Sequence, residues 1–402
     1  VSERDLFRET KEYGSPIASG MAGQFRSTRR HAVKKIAIAC QGGGSQTAFT
    51  AGVLRALFEN RIQHRREVVS LSGTSGGAIC AGLAWYGLLK EAQGDSTPIP
   101  HRILQFWDEL TCGSSAERAF DDSVAAMLRI IDRGVLPQFA TSPASPIAGA
   151  MMGMLSGFLP RIEFTNLKAL LEKHIDFAEL KELVGPKSPV LLVGAANVLT
   201  GELKKFNSLK GEISVEAILA SAAVPNLFPA VKVEGQYYWD GLFSDNPPVQ
   251  ELIRARTVEG HRTPDEVWVI QINPTHCKKV PTTPGEITDR RNQMVGNISL
   301  MQNLEIIELV NILLRSGALK HEVLEKVGVF KRDPIDVRFI QMSEDLQDTL
   351  DYVSKLTRGP DHIGRLMADG EKQGRAFVER FVTDAEGGDV QPKKRAEALV
   401  AS

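Results

Sequence analysis

Residues 68–77 read Val68-Val69-Ser70-Leu71-Ser72-Gly73-Thr74-Ser75-Gly76-Gly77, and an Ala-rich stretch runs on from Ala78 to Leu89. The first five residues have the character of a buried strand and the Ala-rich stretch that of a helix. Between them stands a G-x-S-x-G pentapeptide, where the chain must turn sharply from strand into helix. Its flanking glycines, Gly73 and Gly77, remove side chains that would clash or strain the backbone. A serine on such a turn carries its hydroxyl at a helix N-terminus, where amides favour negative charge. Ser75 is therefore the candidate nucleophile. The pentapeptide taken alone also fits an ordinary small-residue turn, and the rest of the chain has to decide between the two.

On the N-terminal side, KKIAIAC (Lys34 to Cys40) reads as a short buried strand ending in Gln41-Gly42-Gly43-Gly44, with a helix expected from about Ser45 to Glu59. Strand, helix, strand, helix over the first ninety residues is the signature of a parallel sheet with crossover helices. Further strands are expected at Val190 to Ala196, Leu203 to Phe206, Val267 to Ile272 and Val337 to Met342, and a short Ala-rich helix from Val215 to Ala223. Beyond Pro284, Ile287, Met294, Ile298, Met301, Leu304 and Ile307 recur at helical spacing, and another helix is expected around Ile363 to Phe381. Residues 91–165 are less regular, Pro-bounded, and read as an insertion or lid. Residues 1–34 read as a polar arm and 384–402 as a disordered polar tail.

The chain has 402 residues, 43% of them hydrophobic, enough for a substantial core. Its 48 basic and 49 acidic residues give a net charge of -1, so no global field recommends nucleic acid as a partner. Cys40, Cys80, Cys112 and Cys277 are widely spaced with no C-x-x-C pair, which argues against a zinc site or a disulfide framework and makes a reducing cytoplasm the simplest fit. The first 35 residues mix basic with acidic residues and hold no apolar run, unlike a secretory signal or transit peptide. The one long apolar segment of membrane character, Ile147 to Leu159, is shorter than the roughly 20 residues a spanning helix needs. Its methionines, Met151, Met152 and Met154, suit either a core helix or transient contact with a membrane surface. No calcium loop of the D-x-[DN]-x-[DN]-G type is visible, and no metal or cofactor is expected.

Glycines between a strand and a helix can aim several amides at one point, where an oxyanion or a phosphate could sit. The Gly42 to Gly44 loop lacks the G-x-x-x-x-G-K-[ST] of a nucleotide-binding loop, and the dinucleotide pattern fails at Thr47. With a nucleophile on the next strand, the amides suit the oxyanion of acyl transfer; a structural glycine turn is the plain alternative. A serine nucleophile needs a base. The eight histidines lie mostly in charged or turn-rich stretches, and His276 and His362 alone stay open. Asp240, in Tyr237-Tyr238-Trp239-Asp240-Gly241, follows a strand-like run and is a second candidate base, or else an Asp-Gly turn.

The order of glycine-rich loop, G-x-S-x-G and D-G resembles the patatin-like phospholipase family. The blocks stand here as GGGSQTAFTAGVL (Gly42 to Leu54), GTSGGAICAG (Gly73 to Gly82) and DGLFSDNPP (Asp240 to Pro248), supported by VLTGELKKFNS (Val198 to Ser208) and ILASAAVPNLFPAV (Ile218 to Val231). The resemblance covers roughly Lys34 to Ile272 and implies a three-layer α/β/α sandwich with a mainly parallel central sheet. A catalytic domain is then expected at 35–275, and the helical spacing beyond it is read as a mainly helical C-terminal region, packing on the core, at 276–383. The resemblance also implies a dyad without histidine, with Ser75 attacking a carboxylic ester of a phospholipid or lysophospholipid, Asp240 as general base, and the Gly42, Gly43 and Gly44 amides on the oxyanion. A non-lipid esterase, an acyltransferase and a weakly active lipid-binding module are the alternatives. The sequence departs from the family's loop, G-G-G-x-[KR]-G, at Gln46 and Thr47, and from its D-G-[GA] at Leu242.

Overall fold

Alternation along β1 (Lys35–Cys40) shows how the sheet is covered: Ile36, Ile38 and Cys40 enter one apolar cluster, while Ala37 and Ala39 enter another. A strand buried on both faces reads as a continuous apolar run, which is why KIAIAC carries little polar character. The computed structural model describes residues 33–132, 166–225, 228–253, 262–319 and 333–383. The Ile147 to Leu159 segment, the tail from residue 384 and nearly all of the N-terminal arm lie outside these residues.

The remaining strands are β2 (Glu67–Gly73), β3 (Val190–Asn197), β4 (Leu203–Asn207), β5 (Val231–Val233), β6 (Gln236–Asp240), β7 (Glu266–Gln271) and β8 (Asp336–Gln341). They form one sheet in the order β5-β6-β3-β2-β1-β7-β8, with β4 also pairing β3. The contacts β3-β2, β2-β1, β1-β7 and β7-β8 are parallel, and those of β4, β5 and β6 are antiparallel. Long-range parallel pairing brings the C-terminal ends of β1, β2 and β7 together, and in open α/β sheets this edge is where ligands bind.

One face of the sheet is covered by α1 (Ala48–Glu59), α2 (Gly76–Ala92), α3 (Ile99–Leu110) and α8 (Pro360–Val378). The opposite face is covered by Leu300 and Ile307 of α7 (Pro284–Arg315), with Val249, Leu252 and Ile253. Between α3 and α7 in the chain come α4 (Ser115–Asp132), α5 (Leu167–His174) and α6 (Val215–Ser221). The C-terminal region thus adds a strand to the sheet and a helix to each face.

The irregularity read into residues 91–165 does not extend to their first part. Ile103, Phe106 and Trp107 of α3 are core residues, and α4 follows. Pro98 and Pro100 open α3 rather than bound a loop, since proline suits a first helical turn whose amides have no intrahelical partner.

α8 lies on α1 through glycines. A Cβ on Gly370 would meet the backbone of Phe49 and Val53, and one on Gly52 that of Met367 and Glu371. Two helices approach this closely where neither presents a side chain at the crossing. α1 is the helix that follows the glycine loop, so the C-terminal helix braces the element behind the site.

Candidate active site

Ser75 sits between the end of β2 and the first turn of α2 with φ 55° and ψ -131°, in a region L-residues avoid. Such strain persists only where the surroundings impose it. Here they do: a Cβ on Gly77 would stand 2.6 Å from the Gln41 carbonyl oxygen, and one on Gly73 2.6 Å from Cα of Ala78. The Ser75 amide is held from α6, donating to Ser221 Oγ at 3.0 Å. Ser75 is 8% exposed.

Asp240 ends β6, opposite Ala195 of β3, and is 1% exposed. Its carboxylate faces the Ser75 hydroxyl, which favours the ionised form, and its Oδ1 accepts the Leu242 amide at 2.7 Å. Burial pushes the Asp240 carboxyl up to about 7, against the pull of the Leu242 amide, the Ser75 hydroxyl and the Lys355 charge. Asp240 has no place for a bulkier neighbour, because a Cβ on Gly241 would stand 2.6 Å from the Gly194 carbonyl carbon. The departure at Leu242 is accounted for in the same contact: position 242 serves the carboxylate through its backbone amide, which any residue except proline supplies.

The glycine loop packs directly on the serine. A Cβ on Gly42 would lie 2.6 Å from the Thr74 carbonyl oxygen and 3.0 Å from Ser75 Cβ. The Gly42 amide is not available to a ligand in this arrangement, since it donates to Asn246 Oδ1 at 2.7 Å. Among the described residues, the Gly43 and Gly44 amides donate to no acceptor, and Gly44 has φ +57°. Gly43 and Gly44 are therefore the loop glycines whose amides stay without a protein acceptor among the described residues, while that of Gly42 is engaged.

Buried amides hang this loop from its neighbours. Gln41 Oε1 accepts the amides of Ile272 and Asn273, both at 2.8 Å, while its Nε2 donates to Asn297 Oδ1 at 2.9 Å and to the Gly296 carbonyl at 3.0 Å on α7. Asn246 Nδ2 donates to the same Gly296 carbonyl at 3.1 Å. Thr47 is buried, and its hydroxyl ties back to the Gly44 carbonyl at 2.6 Å. The side chain of Gln46 turns away from the serine, donating to Ser354 Oγ at 2.8 Å and to the Asp351 carbonyl at 3.2 Å.

Neither histidine kept open by the sequence joins the pair. His276 bonds the Thr275 hydroxyl at 2.9 Å, and His362, on α8, bonds the Ser354 carbonyl at 2.9 Å. Sequence reasoning missed Ser221, Asn246, Gln41 and Lys355. Ser221 and Asn246 lie inside the quoted blocks ILASAAVPNLFPAV and DGLFSDNPP, so they carried a positional signal. Lys355 carried none.

A model of the patatin-like phospholipase family matches residues 38–253, more than half of the chain. The chain belongs to the patatin-like phospholipase family. This is a family of lipid hydrolases, and the fold agrees with it: a mixed α/β architecture with a mostly parallel central sheet. No curated protein matches the chain. Among solved structures, human GIVD cytosolic phospholipase A2 in complex with methyl gamma-linolenyl fluorophosphonate is 14% identical with a TM-score of 0.39, covering 88% of this chain and 59% of that one. VipD from Legionella pneumophila is 14% identical with a TM-score of 0.33, covering 87% and 67%. The type III effector ExoU is 14% identical with a TM-score of 0.34, covering 86% and 53%. The chain thus spans about half to two-thirds of the length of these proteins. Among the described residues, no helix is long and apolar enough to cross a membrane.

Proposed function

We propose that this patatin-like phospholipase cleaves carboxylic esters of phospholipids or lysophospholipids through a Ser75–Asp240 dyad. The observation that carries the reading is the buried Asp240 carboxylate facing the Ser75 hydroxyl, which favours its ionised form, at a turn strained by φ 55°. A carboxylate is a weak base in water, and burial makes this one a better proton acceptor near neutral pH.

In this mechanism Asp240 takes the hydroxyl proton as Ser75 Oγ attacks the ester carbonyl. The Gly43 and Gly44 amides receive the developing oxyanion, and the alcohol leaves with the proton from Asp240. Water deprotonated by the same aspartate then releases the fatty acid and restores the serine. The Leu242 amide orients the carboxylate throughout, as the third group of a serine triad orients its base. Asn246, by engaging the Gly42 amide, sets the pose of the two amides that follow it.

A fluorophosphonate reagent tests the nucleophile, and fatty acid release tests the reaction. The intact protein is expected to label at Ser75 and to release fatty acid from phospholipid. Ser75→Ala is expected to do neither, and Asp240→Asn to lose release while remaining folded. Full activity of Asp240→Asn would refute the dyad. Absence of both labelling and release in the intact protein would favour a lipid-binding module. The apolar segment Ile147 to Leu159 serves the lipid surface in this reading, so Met151→Asp with Met154→Asp should reduce hydrolysis of vesicles far more than of a soluble short-chain ester.

A further inference from the structure

A trans peptide plane is rigid, and its N–H points opposite its C=O. The backbone N–H of Gln46 donates to the Gly43 carbonyl at 3.2 Å, so Gln46 fixes the plane whose other end is the Gly44 N–H. Glycines on both sides leave that plane free to rotate unless it is held from outside the loop. The side chain of Gln46, itself buried, supplies such a hold. Its Nε2 carries two protons and finds two acceptors, Ser354 Oγ at 2.8 Å and the Asp351 carbonyl at 3.2 Å. Two donors are what this contact uses, and a neutral amide provides them without the charge of lysine or arginine.

Both acceptors belong to the turn that ends in Val353–Lys355, between β8 and α8 and far outside residues 38–253 matched by the family model. That turn is fixed in its own right. Ser354 donates its hydroxyl to the Asp351 carbonyl at 2.5 Å and its amide to Asp351 Oδ1 at 2.7 Å. Asp289 of α7 accepts the Tyr352 amide at 2.7 Å, Arg129 of α4 donates to the Asp351 carboxylate at 3.1 Å, and His362 of α8 bonds the Ser354 carbonyl at 2.9 Å. Three helices therefore converge on one short turn. It meets the glycine loop at a second point, where the Lys355 carbonyl occupies the space a Cβ on Gly44 would need. A third tie runs through Lys355 Nζ, which donates at 2.8 Å to Asn273 Oδ1, while the Asn273 amide is held by Gln41 at the root of the same loop.

We propose that Gln46 and Ser354 are positioning residues: their contact passes the rigidity of the C-terminal turn to the Gly43–Gly44 peptide and holds its amide in the pose that the oxyanion on Ser75 requires. The proposal rests on the hydrolase reading above. A side chain that only filled space at position 46 could be exchanged for methionine, of similar length and without donors, at little cost in rate. A positioning donor could not.

The test measures kcat and KM of the full chain on a soluble short-chain phospholipid for Gln46→Met, Ser354→Ala, the double variant and Ser354→Thr. Each of the first two should lower kcat by about 10–100-fold and leave KM within about threefold, because a misplaced group is felt in the transition state more than in substrate binding. The double variant should fall no more than about threefold below the slower single one, since both changes remove the same contact. Ser354→Thr keeps the hydroxyl and should retain most of the rate. Unchanged kcat, a loss carried by KM alone, or losses that multiply in the double variant overturn the proposal; either single variant suffices if the other fails to fold. Amide hydrogen exchange over residues 41–49 reads the same contact without turnover, and it should quicken in both single variants relative to the intact protein. If the intact protein neither labels with a fluorophosphonate nor releases fatty acid, the hydrolase reading fails separately. Exchange then decides the contact alone, and rates equal to those of the intact protein overturn it.

Discussion

Ser221 Oγ accepts the amide proton of Ser75 at 3.0 Å, so a hydroxyl on α6 holds the backbone of the strained residue between β2 and α2. Both residues are buried, and water cannot readily replace the contact. Ser221→Ala should therefore leave the Ser75 amide unsatisfied and cost about 1–3 kcal/mol, read as a lower urea midpoint. The rate of fluorophosphonate labelling at Ser75 should fall with it, whereas a purely structural role would leave the labelling rate of the folded fraction unchanged.

Two substitutions at position 75 separate strain from chemistry. Ser75→Ala and Ser75→Gly both remove the hydroxyl that faces Asp240, but glycine alone relieves the positive φ. Ser75→Gly should be more stable than Ser75→Ala by about 1–2 kcal/mol in urea titrations, and both should be inactive. Equal stabilities would mean that the turn stores no strain.

The pH dependence follows from Asp240. Its carboxyl is raised to about 7 by burial, with Ser75 and Lys355 facing it, and it accepts a proton only when ionised. The kcat/KM profile should rise with pH along a limb near 7 on every ester.

The same shift sets a stability trend with the opposite sense. Between the unfolded carboxylate pKa, about 3.9, and the folded value near 7, the native state binds the extra proton. That contribution is fully present below the unfolded pKa and is lost as pH rises through the folded one. Asp240→Asn lacks it, so the variant should gain stability relative to the intact protein between pH 5 and pH 8. Denaturant curves at the two pH values measure the difference.

A pair of glycines on α8 tests its docking. A Cβ on Gly370 would stand 3.0 Å from the Phe49 carbonyl carbon and the Val53 nitrogen, with the Phe49 oxygen nearer still. Gly364, exposed on the same helix, has nothing within 4 Å. Gly370→Ala should destabilise by about 3 kcal/mol, and Gly364→Ala should stabilise by about 1 kcal/mol, both in thermal or urea unfolding.

Local patterns carried a large part of this protein. The apolar run of β1, the G-x-S-x-G turn and the alternation of strand and helix are statements about neighbouring residues, and backbone sterics and burial act over that range. They were enough to place Ser75 on an elbow and Asp240 at a strand end. α3 was missed for a local reason as well, since its prolines read as boundaries when they are its first turn.

What the sequence could not decide depends on contacts between distant residues. That Gly42 spends its amide on Asn246, that Ser221 holds Ser75, and that Gln46 grips a turn some three hundred residues away are outcomes of chain crossing, invisible to any window along the chain. Lys355 is the clearest case. Its neighbours in sequence give it no distinction, and its place beside the glycine loop exists only because β8 joins the sheet at β7 and α8 packs on α1. The linear pattern determined which groups could react, because their chemistry and turn geometry are local. Their burial, pairing and charge were decided by the tertiary structure, because desolvation and electrostatics depend on everything packed around a group.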